Sequence, residues 1–389
     1  MEQRVPDQSN TGLARLALAL MICVLATAIA VAYLWLHPPG YARQEMVFIS
    51  GELGRDLDLY KADQFGRHRV RLTKSAGYEL FPTWSPDGGK LAFLRTGALD
   101  GPTSDEEWEL SGIFLMSFEG SKPTEQLLAG ARDVGIGVPS WSPDGRTIGV
   151  LSQAPSGVGR GPADSTLTFI DLESRTQTQV PLTVTAMVME RALSWSPDGT
   201  HVAFGARAKA ADGKGADNVG QWGCVYDLEQ GKLTELVPDV LAIQWSLSGG
   251  RLACQYQDEP GRIHLVSPDG TAMRTLEIGE YVSDIAWSPD GAKLALSRES
   301  GGDASDVVIV HVAEGQPAVY PLATNRLAGY LSWSSDGRYL GYTSLSMDQD
   351  EQPEASLHVI DVESDKRWAL TQAEQVNGML AWRPVIEEH

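Results

Sequence analysis

The chain has 389 residues, a formal net charge of −20 and 40 glycines. That length can bury a large core. The excess of carboxylates excludes a surface built to hold nucleic acid or anionic lipid headgroups, because like charges repel.

Residues 1–15 are polar and carry Arg4 and Arg15. From Leu16 to Leu36 the chain runs without a charge and is rich in Leu, Ala, Ile and Val. Such a stretch is long enough to cross a bilayer as a helix. Tyr33 and Trp35 stand near its end, where amphipathic aromatics favour the interface. A cleaved signal peptide, cut after Ala28-Ile29-Ala30, is the competing reading. The apolar run continues past that point to Leu36, which favours an uncleaved anchor. Arg4, Arg15 and the terminal amine place residues 1–15 in the cytoplasm as a tail and export everything after the span. His37-Pro38-Pro39-Gly40 stops the helix, and residues 37–45 form a short linker. Cys23 lies inside the span and reads as a plain apolar residue. Beyond residue 44 the charge is −21, since Arg4, Arg15 and Arg43 outnumber Glu2 and Asp7 by one up to that point.

One stretch then recurs. Trp84-Ser85-Pro86-Asp87-Gly88 returns at Trp141–Gly145, Trp195–Gly199 and Trp287–Gly291, and with substitutions at Trp245–Gly249 and Trp333–Gly337. Trp382 opens a further copy. Successive tryptophans are 57, 54, 50, 42, 46 and 49 residues apart. Pro-Asp-Gly between apolar runs is a tight turn: Pro pre-sets φ, Asp bonds nearby amides and Gly accepts a left-handed conformation. After each turn comes apolar, small, apolar, as in Leu91-Ala92-Phe93, Ile148-Gly149-Val150 and Leu340-Gly341-Tyr342. A small residue kept at one register implies that a neighbouring sheet approaches closely there. Two more strands complete each unit, so the period is that of a propeller blade. The segment after Met46 supplies three strands without a Trp strand, and 379–385 supplies a Trp strand with nothing after it. Joining them closes the ring. The expected fold is therefore all-β, a seven-bladed β-propeller over 46–385 closed by strand 379–385, with one N-terminal transmembrane helix. A six-bladed ring is the alternative.

The motif Trp-Ser-Pro-Asp-Gly-x-x-Leu-Ala-Phe resembles the TolB-like, or WD40-like, repeat of bacterial propellers. No Trp-Asp dipeptide occurs, so the eukaryotic WD repeat is not meant. The resemblance spans Met46 to Val385. It implies a fold far more than a function, because this repeat serves unrelated proteins.

Connections between units open onto the channel mouth of such a ring. They carry Tyr78, Glu79, Asp133, Glu190, Arg191, Asp239, Glu280, Tyr281, Asp284, Arg326, Tyr330 and Asn377. Converging carboxylates, Arg and Tyr suit a peptide, an amine or a cation. Long loops at 96–111, 153–165, 207–221, 299–306 and 345–355 belong to the same face, and Trp108 sits among acids in the first. An exposed Trp there is a candidate anchor for a basic partner. No nucleophile elbow, zinc helix or phosphate loop is present. His264, His311 and His358 fall at equivalent places in successive units, which radiate apart, so no metal site is expected. Cys224 and Cys254 read as buried free thiols. No catalytic residue and no cofactor is assigned. The expected function is that of a membrane-anchored, extracytoplasmic, non-catalytic scaffold that binds a protein or peptide partner in the cell envelope. The alternative is a lyase or hydrolase, or a small-ligand or cation binder, using the channel-mouth carboxylates.

Overall fold

The computed structural model describes residues 44–385 apart from 53–55, 76, 97–111, 119–122, 131–134, 154–164, 183–184, 187–192, 208–220, 301–303, 314–316, 322–325, 348–352 and 372–375. The expected anchor Leu16–Leu36 with Cys23 lies outside the described residues, as do Trp108, Asp133, Glu190 and Arg191. Among the described residues no helix is long and apolar enough to cross a membrane.

The described residues are all-β. Each Trp motif ends one strand and turns into the next. At the first copy, strand Tyr78–Trp84 pairs antiparallel with Lys90–Thr96, which pairs with Gly112–Ser117 and then Thr124–Gly130. The same meander follows Trp245, Trp287 and Trp333 as separate four-stranded sheets. The Trp141 and Trp195 copies each carry their first strand in two short pieces, giving five-stranded sheets. Each sheet is named below by its Trp.

Local chemistry makes the turn. The Gly88 N–H donates to the Ser85 carbonyl at 2.8 Å, with Pro86 and Asp87 between them. Gly88 takes φ +63°, a left-handed value that a side chain resists. The Ser85 hydroxyl donates to Asp87 Oδ1 and accepts the Lys90 N–H at 2.9 Å. Ser142–Asp144, Ser196–Asp198, Ser288–Asp290 and Ser334–Asp336 repeat this pair. The altered copy at Trp245 substitutes Ser246···Ser248 at 3.0 Å.

Neighbouring units meet where small residues were expected. A Cβ on Gly149 would stand 2.6 Å from Leu193 Cδ2, and one on Gly341 would stand 2.4 Å from Leu380 Cδ2. Leu193 and Leu380 are the apolar residues two before the next Trp, and both are buried. At these two junctions a unit thus presses a Leu into a gap left open by its predecessor. Cys224 and Cys254 are free and fully buried, and burial pushes each thiol up to about 12.

The two ends of the described chain lie side by side. Strand Glu45–Gly51 pairs with Leu57–Asp63 on one edge and with Val376–Trp382 on the other, setting Met46 opposite Trp382. A single parallel bridge, Leu57↔Tyr78, joins this group to the Trp84 strands. Two boundaries differ from expectation. The closing strand is Val376–Trp382, not 379–385: as in every copy the strand ends at the Trp, and Pro384 has no N–H to extend a ladder. The first strand begins at Glu45, inside the expected linker. The expected loop 345–355 is mostly a hairpin extension, since Leu345, Ser346 and Met347 pair with Ala355, Glu354 and Pro353.

Candidate functional site

The repeated Trp joins unit to unit. The Trp141 indole N–H donates to the Thr83 carbonyl at 3.0 Å, in the residue just before the preceding Trp. Trp195 reaches Ser140, Trp287 reaches Gln244, Trp333 reaches Ala286 and Trp382 reaches Ser332, at 3.0–3.2 Å. Trp84 completes the series on Ala381. Trp245 departs from it: its backbone N–H donates to Ser194 Oγ at 2.9 Å, and its buried indole N–H has no partner among the described residues.

At the other end of the first strands, the residues expected to form one pocket fall into separate environments. Glu79 is fully buried. Arg95 Nε donates to its Oε1 at 2.8 Å, while the other two guanidinium nitrogens clasp Glu125 at 2.7 and 3.0 Å. Thr73 and Ser75 hydroxyls also donate to Glu79, and Thr73 links on to Asp58. The guanidinium lies 4.2 Å from the Phe114 ring centre. Burial pushes the Glu79 carboxyl above its ordinary value, and Ser75 and Arg95 oppose that shift. Glu79 therefore ties the closing sheet to the Trp84 sheet and does not face a mouth. Tyr78 beside it is buried in the apolar core.

Asp284 acts between units too. Its Oδ2 accepts the Leu331 N–H of the next sheet at 2.8 Å, at the bulge that interrupts strand Leu327–Trp333. A bulge frees a backbone donor, and the neighbouring carboxylate receives it. Asn377 is buried in the closing strand, opposite Ser50. Arg326 reaches Ser344 Oγ at 3.4 Å and lies 3.9 Å from Glu354. Beyond Ser344, Tyr342 stacks on His358 at 5.2 Å. Burial pushes Tyr342 up to about 12 and His358 below its usual value. Asp239 is exposed with φ +55°, turning the chain into strand Val240–Trp245. Glu280 and Tyr281 are exposed, Tyr281 at 40%. Among the described residues no group of His, Cys, Asp or Glu could hold a metal ion.

No family model matches the chain. A TolB homolog from Chlorobium chlorochromatii is 51% identical over 39 residues, which is 10% of this chain and 9% of that protein's length. TolB from Acinetobacter baumannii superposes with a TM-score of 0.53 at 18% identity, covering 88% of this chain and 67% of that one. An oligogalacturonate lyase in complex with manganese gives 0.56 at 16% identity, over 85% of both chains. A puromycin hydrolase gives 0.59 at 13% identity, over 86% of this chain and 54% of that one. The chain has a β-propeller fold similar to that of TolB. At these identities the solved structures speak for the fold alone.

In this propeller three residues not grouped by the sequence come together. Phe81, Tyr330 and Met379 each stand three before their Trp and each has positive φ, at +52°, +54° and +48°. The Phe81 and Tyr330 rings are 6.4 Å apart, and the Phe81 N–H points to Met379 Sδ at 3.4 Å. Only Tyr330 was a candidate. The shared offset from Trp was readable in advance. The left-handed bulge that turns these side chains toward one another was not.

Proposed function

We propose that this protein is a membrane-anchored, extracytoplasmic propeller of seven blades that serves as a non-catalytic scaffold for a protein or peptide partner. The division of the eight-stranded sheet at the lone Leu57↔Tyr78 bridge supports seven blades, the closing group and the Trp84 group counting separately. The apolar run Leu16–Leu36 supports the anchor. One observation carries the scaffold reading. Glu79 and Asp284, candidates for chemistry, are spent on hydrogen bonds between sheets, while Glu280 and Tyr281 stand exposed on the rim. Rigid frames with exposed aromatic and acidic rims bind partners through Tyr anchors and complementary charge. A lyase or hydrolase reading remains as the alternative, with Glu190 as its candidate acid.

Photocrosslinking tests the proposal. Tyr281 is replaced by a benzophenone amino acid in intact cells, with exposed Leu247 on the turn side as control. A discrete protein adduct from position 281 and none from 247 is expected. Equal labelling from both, or a substrate turnover abolished by Glu190→Gln, overturns the scaffold reading.

A further inference from the structure

Between the Trp141 and Trp195 sheets, at the Trp end of their strands, lies a groove of about 720 Å³. Phe169, Trp195 and Tyr226 line it, and the Phe169 ring meets Trp195 edge-on at 5.7 Å and stacks on Tyr226 at 6.5 Å. Asp144, Asp171 and Asp198 rim it.

Three other junctions show a side chain covering the repeated Trp. Six residues after each Trp, at the start of the second strand, the chain places Lys90, Thr147, His201, Arg251, Lys293 and Tyr339. Lys293 Nζ lies 6.0 Å over the Trp333 ring. His201 lies 6.4 Å from Trp245, and Tyr339 stacks on Trp382 at 6.0 Å. Each therefore covers the Trp of the following sheet. Toward Trp195 that position is Thr147, which is too short to reach across the ring and lines the groove instead.

A second covering comes from the residue directly after the Trp. At ring closure this is Arg383, whose guanidinium lies 5.1 Å over Trp84 and 5.6 Å over Phe118. Its Nε donates to the Gly88 carbonyl at 2.8 Å, and Nη1 bonds Glu45 at 3.0 Å. Toward Trp195 the matching residue is Ser142, whose hydroxyl is turned to Asp144. Phe118 and Gly88 match Leu228 and Gly199, which also line the groove. Both places where this fold seats a cation on the Trp thus hold small residues here.

We infer that the groove over Trp195 receives an arginine side chain presented by a polypeptide partner, seated as Arg383 is seated on Trp84. Charge complementarity favours it. Asp144, Asp171 and Asp198 each take their hydrogen bonds on Oδ1, so among the described residues Oδ2 of each accepts none. Their neighbouring hydroxyl and amide donors hold all three carboxyls below the ordinary value, so they are charged at neutral pH. Arg146 lies beside Asp144 and Asp171 and offsets part of that charge. A planar guanidinium can stack on an indole and donate to carboxylates in the same pose. The groove lies at the opposite end of the first strands from Tyr281, so this inference does not rest on the rim proposal.

The test uses the full-length protein in neutral detergent, labelled with 5-fluorotryptophan, with the Trp195 signal assigned through Trp195→Phe. The titrant is an end-blocked Gly-Gly-Arg-Gly-Gly peptide, and the control is its citrulline counterpart. The Trp195 signal moves saturably with the arginine peptide, and the citrulline peptide binds about tenfold more weakly for want of the cation. Thr147→Lys supplies the covering found at Trp333 and removes the response. No movement of the signal, equal movement with citrulline, or an undiminished response in Thr147→Lys overturns the inference.

Discussion

The indole N–H of Trp84 donates to the carbonyl of Ala381 at 3.3 Å, across 297 residues of sequence. This is the bond that the other junctions, except the one at Trp245, make between consecutive units, here made between the last strand and the first Trp motif. Around it the closure repeats the rest of the junction. Pro384 sets its carbonyl against Gly88, much as Pro86 lies against Gly145 and Pro143 against Gly199. Arg383 spans the seam by bonding both Gly88 and Glu45.

Trp382 is the most consequential side chain in this closure. It is 5% exposed, stacks on Tyr339 and donates to the Ser332 carbonyl. Trp382→Ala is expected to cost about 3–5 kcal/mol, the usual range for removing a buried Trp. Urea unfolding followed by far-ultraviolet circular dichroism checks this. A midpoint equal to that of the parent would mean that the seam contributes nothing to stability.

Gly341 tests the close approach of neighbouring sheets. Gly341→Ala drives a methyl into Leu380, and the overpacking is expected to cost about 1–3 kcal/mol. Leu380→Ala in the same chain makes room for the methyl. The double variant should therefore lose less than the sum of the two single losses in thermal melts. Strict additivity would show that the two side chains do not compete for one space.

Ser85 tests the turn and its pH dependence. The Ser85 hydroxyl, then the Gly89 N–H, hold Asp87 below its ordinary 3.8. A carboxyl with a depressed folded value adds stability that is complete above the unfolded value and lost as pH falls through the folded one. Ser85→Ala is expected to cost about 1 kcal/mol or somewhat more at neutral pH, as it removes a hydrogen bond to a charged acceptor. The gap to the parent narrows as pH falls below 3.8 and does not close, because the Lys90 N–H has lost its acceptor at every pH. Melting temperatures taken from pH 7 down to the acid limit check both statements. A gap independent of pH would place the Ser85 contribution outside the Asp87 pair.

The strands and turns were legible because the information sits within a few residues. Trp-Ser-Pro-Asp-Gly contains its own donor, acceptor and left-handed residue, and the flanking apolar alternation selects the buried face. The positions that must be small were legible too. Gly149 and Gly341 hold the register at which Leu193 and Leu380 come through. The candidate site was legible only as a set of positions. Tyr78 and Glu79, expected on a connection between units, lie in a first strand, and the structure turns both inward. Glu79 is held by Arg95, sixteen residues on, and Arg95 by Glu125, thirty residues further. No short motif records that side chains from three strands will meet around one buried carboxylate.

By itself, the sequence determined the repeat, the tight turns, the all-β character and the meeting of its two ends, because each rests on backbone chemistry that operates locally and recurs. The tertiary structure alone decided which side chains face one another between units. Thr147 is unremarkable beside Ile148 in the sequence, and it acquires meaning only because position 147 faces Trp195 of the next sheet. Such encounters depend on strand twist and on where each bulge shifts the register, and these are set by packing summed over the whole assembly of sheets.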